Sequence, residues 1–80
     1  MIFLIEYERP KGRIVTFKQF NDSKRSHAET LRLRIELDLG RKGINHEVVL
    51  LDAESEAALR LTHRRYFENV SQISRSIGMH

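Results

Sequence analysis

HEVVLLDAESEAALRLTHRRYF, residues 46 to 67, joins a short unbroken apolar run to a capped amphipathic segment, and the rest of the fold is read outward from it. Glu47 to Leu51 has the length and β-branched content of a buried strand. Ser55 then offers a side-chain oxygen to the free amides of a helix that begins at Glu56. Along that helix Ala58, Leu59, Thr62, Tyr66, Val70, Ile73 and Ile77 fall within about 120° of one another. The pattern predicts one helix from Glu56 to Ile77. At 1.5 Å per residue it would be roughly 33 Å long, against about 17 to 20 Å for a strand of five or six residues, so its last turns overhang the sheet. Residues 69–80, ending SQISRSIGMH, are then either an overhanging helix end that packs on a second chain or a frayed tail.

Upstream, Ile2 to Tyr7 and Arg13 to Phe20 are rich in β-formers, and Glu8-Arg9-Pro10-Lys11-Gly12 between them carries Pro and Gly as turn residues. This predicts a β-hairpin. Strand alternation sets Phe3, Ile5 and Tyr7 on one face with Val15 and Phe17, and Ile2, Leu4 and Ile14 on the other. A first strand apolar on both faces belongs in the middle of its sheet.

Leu31 to Leu39, LRLRIELDL, alternates apolar and charged residues with period two and can be read as a strand. Against that, Leu, Arg and Glu are strong helix formers, and Asn21-Asp22-Ser23 is a cluster of good N-caps. Ala28, Leu31, Ile35 and Leu39 also share an arc of about 80° on a helical wheel. With Gly43 as the stop, a helix from Ser23 to Lys42 is preferred. Leu33 and Leu37 then lie nearly opposite the core stripe, with Gly40 continuing their line. The pairs Arg25/Glu29, Arg32/Glu36 and Arg34/Asp38 separate the two stripes.

The resulting expectation is one α+β domain over residues 1–80. It is a two-layer β-β-α-β-α unit with a three-stranded mixed sheet in the order 2-1-3 and both helices on one face. The opposite face, carrying Ile2, Leu4 and Ile14, is then free to meet a second copy.

An 80-residue chain without cysteine can build one thin core and has neither disulfides nor thiolate-bound metal to reinforce it. Oligomerisation is the remaining reinforcement. The net charge of +3 admits nucleic acid without demanding it. The start MIFLIEYERP lacks a signal peptide's basic n-region and long apolar core, and no run approaches the about 18 apolar residues of a membrane span, so a cytoplasmic protein without a membrane partner is expected.

His27, His46, His63 and His80 show no metal-ligand spacing, and no phosphate-binding or nucleophile-elbow motif occurs, so neither cofactor nor metal is expected. Asp52, Glu54 and His63 could gather at the end of the third strand, but acids near a helix start are explained by its dipole. No enzymatic activity is expected. The sequence instead suggests a small protein–protein interaction module, a homodimer or a binder of a larger protein, using Leu33, Leu37, Ile2, Leu4, Ile14, Val70 and Ile73. The alternative is nucleic-acid binding by Arg60, His63, Arg64 and Phe67, a cationic and aromatic set on the outer face of the last helix.

Overall fold

A computed structural model describes residues 1–68 of the chain. Strand β1 (Ile2–Glu8) and strand β2 (Arg13–Phe20) form the hairpin. Its turn closes through the Gly12 amide donating to the Arg9 carbonyl at 3.1 Å, with Gly12 at φ 60°, a left-handed conformation that glycine adopts without a Cβ clash. A short 3-10 turn over Asp22–Lys24 leads into helix α1 (Arg25–Lys42). LRLRIELDL is therefore helical: propensity and packing outweigh its period-two pattern. Gly43, at φ 68°, ends α1, while the Ile44 amide reaches back to the Leu39 carbonyl at 2.9 Å and satisfies the last turn. Strand β3 (Glu47–Asp52) follows, then helix α2 (Glu56–Thr62), whose Ser55 side chain caps the Ala58 amide at 3.1 Å as the sequence predicts.

The sheet order is β2-β1-β3. Both hydrogen-bonded pairings are antiparallel, so the expected mixed sheet is corrected: β2 and β3 run the same way but never touch. Strand β1 is central, and six of its seven residues are buried.

The two helices cover opposite faces of this sheet, where a shared face was expected. Phe3, Ile5 and Tyr7 pack with Leu59 of α2 and with Tyr66, while Val49, Leu51 and Phe17 flank them. On the other face Ile2 and Leu4 are wholly buried, and α1 lies across β1 and β3 with Ala28 and Leu39 turned inward. A strand apolar on both sides leaves a large free-energy deficit unless each side is covered, and at about 25 cal/mol per Å² of buried apolar surface the second helix removes it.

Two further expectations change. The β1–β2 register shifts between Glu6 and Tyr7, so that Tyr7 faces Ile14 while Glu6 faces Thr16. Val15 is the extra residue of this bulge. A one-residue slip exchanges faces, so Ile14 joins the α2-side core and Val15 stands on the α1 side. The last helix also stops at Thr62 instead of running to Ile77. The chain bends at His63 and makes a 3-10 turn over Arg64–Tyr66 that lowers Tyr66 onto Tyr7, ring centroids 5.1 Å apart and edge-to-face. The expected overhanging end falls on residues 69–80, outside those described.

Candidate functional site

Sheet chemistry first singles out β3. Its register with β1 is unbroken from Ile2↔Asp52 to Tyr7↔Glu47, and among the described residues no strand pairs with its outer side. The Ala53 amide donates to the Met1 carbonyl at 3.1 Å, which sets the phase of the ladder. In an antiparallel ladder the inward and outward groups alternate, so Leu51, Val49 and Glu47 turn their backbone polar groups to β1. Val48 and Leu50 turn theirs outward. Between Glu47 and Asp52 the strand carries only Val48, Val49, Leu50 and Leu51, all half-buried. It has no proline, bulge or internal charge, the usual devices that keep an edge from pairing.

Helix α1 borders this edge. Arg25 bonds Asp52 at the end of β3 at 2.6 Å, which identifies the β3-facing flank of the helix. At about 100° per residue the same flank carries Glu29, Arg32 and Glu36, with Leu33 on its outer margin and Leu37 on the crest. Leu33 and Leu37 are 55% and 59% exposed. Of the predicted helix pairs, Arg32–Glu36 is present at 3.8 Å. Asp38 instead binds Lys42 at 3.0 Å and Arg41 at 3.7 Å.

The opposite flank of α1 faces β2 across an open groove of about 610 Å³. Val15, Ile35, Leu39 and Ile44 give it apolar walls, and Arg34, Arg41 and Lys42 line it too. Glu6, buried on the α1 side of the sheet, accepts from the Thr16 hydroxyl at 2.8 Å and meets His46 Nδ1 at 2.7 Å. These bonds satisfy the acid within the fold. The period-two pattern of β1 could have revealed it, because it sets Glu6 on the face of Ile2 and Leu4.

A second polar cluster fastens the C-terminal turn to the sheet. The Tyr66 hydroxyl donates to Glu47, whose carboxylate also accepts from Arg65 at 2.5 Å and from Arg9 at 3.1 Å. Tyr7 donates to the Arg65 carbonyl at 3.2 Å, and the Arg65 guanidinium lies 4.1 Å from the Tyr66 ring centroid. Partial burial pushes the Glu47 carboxyl upward, but the bonds from Tyr66, Arg65 and Arg9 together outweigh it and hold the group below its ordinary range. Burial, joined by the bond to Glu47, pushes the Tyr66 hydroxyl up to about 12. Sequence reasoning missed Glu47, Arg65 and their shared tyrosine, since no local spacing links residues 18 and 19 apart.

The expected site residues are dispersed. Leu33 and Leu37 lie together at the surface, but Ile2 and Leu4 are sealed beneath α1 and Ile14 is half-buried against the α2-side core. That apolar sheet face is therefore corrected as a surface for a second copy, because α1 of the same chain occupies it. Val70 and Ile73 lie outside the described residues. Of the cationic set, Arg60 binds Glu56 at 2.9 Å and stacks over Phe67 at 4.5 Å, while Arg64 binds Glu68 at 3.0 Å. Phe67 is corrected from an outward ring to a half-buried one, held edge-to-face against Phe17 at 5.8 Å.

Asp52 is held by Arg25 and does not line the groove, nor do Glu54 and His63. Among the described residues no group of three or more His, Asp or Glu is placed to hold a metal ion, and no helix is long and apolar enough to cross a membrane. Comparison with known proteins returns no match to a protein family, to a curated protein or to a solved structure.

Proposed function

We propose that this chain is a small, non-enzymatic interaction module that self-associates. The observation that carries the proposal is the outer edge of β3, which no strand pairs among the described residues and which is six residues long, in straight register and without a charge between its ends. Such an edge presents unpaired amides and carbonyls beside apolar side chains, and it gains hydrogen bonds and burial together when another strand joins it. Leu33 and Leu37 add exposed apolar surface on the helix that borders it. A thin core in a cysteine-free chain of this size gains stability from a second subunit.

Nucleic-acid binding through Arg60, His63, Arg64 and Phe67 has weaker support, because Arg60 and Arg64 already hold carboxylates and Phe67 faces Phe17. Light scattering at two protein concentrations tests self-association. At high micromolar concentration the expected mass is twice the 9.4 kDa of one chain, declining on dilution. A single-chain mass at every concentration would falsify the proposal.

A further inference from the structure

We infer that the second copy docks across the outer edge of β3, unpaired among the described residues, about a twofold axis perpendicular to the sheet. The product is one continuous antiparallel sheet with two α1 helices side by side on the same face. The inference rests on self-association as the chain's function and specifies where the copies meet.

The strand permits it. Val48 and Leu50 direct their backbone groups outward, and a twofold centred on Val49 or on Leu50 pairs β3 with its own reverse while keeping each side chain on its original face. Centred on Val49, the axis sets Val48 opposite the partner's Leu50, so the outward groups of both strands find partners.

The helix then falls at packing distance. Strands are about 4.8 Å apart, and α1 lies across β1 and β3; an axis midway between the two strands it covers sits about half a strand spacing inside β3. The twofold lies the same distance outside. The two α1 axes consequently come to about 10 Å, at the upper end of ordinary helix–helix spacing.

Charge order distinguishes a copy of this chain from an unrelated strand. The β3-facing flank of α1 reads Arg25, Glu29, Arg32, Glu36, alternating in sign with spacings that are the same in both directions. Read in reverse by an antiparallel helix, every cation meets an anion: Arg25 opposes the partner's Glu36, and Glu29 opposes the partner's Arg32. This alignment centres between residues 30 and 31. The Arg25–Asp52 bond fixes the helix level independently. From Asp52 to the middle of β3 is about two to three residues at 3.3 Å each, equivalent to about four to seven helical residues beyond Arg25, and that interval includes the same centre.

A charge-swap experiment decides the matter, with dissociation constants measured by sedimentation equilibrium. Glu29 and Arg32 are exposed, so substitution there leaves folding nearly unchanged. Glu29→Arg places like charges together at two symmetric positions, and Arg32→Glu does the same with opposite sign. Each is expected to weaken the dimer about tenfold, as two exposed ion pairs of about 0.2 to 1 kcal/mol become repulsive. The double variant restores opposite charges and is expected to return to within about threefold of the parent.

Val48→Pro removes an outward amide without touching the β1 ladder, and it is expected to yield a folded single chain. If circular dichroism shows that variant unfolded, the charge swap alone decides. A dimer indifferent to both the swap and the proline overturns this docking while leaving self-association intact. So does a double variant as weak as the sum of its singles. A parent chain that stays single at high micromolar concentration overturns both.

Discussion

Strands β2 and β3 flank the same central strand, yet their outer edges are finished in opposite ways. β2 is bulged at Val15, carries Arg13 and Lys18, and is fastened by rings: Phe17 stacks on Phe3 at 5.8 Å and meets the edge of Phe67 at the same distance. β3 has neither bulge nor internal charge, and polar bonds hold its ends, Glu47 to Tyr66, Arg65 and Arg9, and Asp52 to Arg25. Bulges and charges on edge strands discourage pairing with another chain. Among the described residues one edge of this sheet is guarded and the other has no such guard, an asymmetry that fits the proposed docking of a copy on the receptive β3 side only.

The contrast breaks most readily at the aromatic fastening of β2. Phe17→Ala removes both ring contacts and opens space beneath Phe67. A fully buried Phe costs about 3 to 5 kcal/mol on truncation, and the half-buried Phe17 is expected to cost about 2 to 4 kcal/mol in urea denaturation. Val49→Ala, on the same sheet face in β3, removes two carbon atoms and is expected to cost about 1 to 2 kcal/mol. Equal losses at the two sites would show that β2 is not held chiefly by its rings.

How far the sequence discloses this contrast depends on the range of the forces involved. The hairpin, the central place of β1 and the Ser55 cap are local or period-two signals and are legible in the residues themselves. The bulge is not. Counting alternation from Arg13 and from Phe20 gives different phases for Ile14, and only pairing with β1 decides where the extra residue sits. The end of α2 is equally tertiary: the apolar stripe continues through Tyr66, but bonds to Glu47 and from Arg65 draw that ring onto the sheet before a further helical turn can form. The apolar run of β3 identifies a strand yet cannot tell an edge from a centre. By contrast, the exposure of Leu33 and Leu37 follows directly from helical spacing.

The polar fastening of β3 is sharpened by pH. Tyr66 titrates near 10 in an unfolded chain and is pushed up to about 12 in the fold, so folding favours its neutral form. Its contribution is fully present below about pH 10 and is lost as pH rises through about 12. The Glu47 carboxyl is held below its ordinary value of 4.5, so its contribution is present above that value and is lost as pH falls through the depressed one. Tyr66→Phe leaves Glu47 one donor short and is expected to cost about 1 to 2 kcal/mol near neutrality. Urea midpoints across pH check both limbs. The variant should lose the part of the alkaline decline that belongs to Tyr66 and keep an acid decline driven by the remaining bonds from Arg65 and Arg9. An unchanged alkaline limb would remove Tyr66 from the account of how β3 is held.

At the other end of β3, the Arg25–Asp52 bond is short, 2.6 Å, but its side chains are 49% and 63% exposed. Water competes for both groups and salt screens them, so Asp52→Asn is expected to change folding stability by only about 0 to 1 kcal/mol. Its informative effect lies in association. In the proposed dimer Arg25 has a second carboxylate in reach, the partner's Glu36, and neutralising Asp52 leaves Arg25 directed to that one. The variant should therefore dimerise at least as tightly as the parent in low salt and show a steeper loss of affinity as salt is raised. A dissociation constant weakened in proportion to the lost ion pair would mean that Arg25 serves its own strand alone, and that the guarded and receptive edges differ in backbone and apolar character without help from the flank of α1.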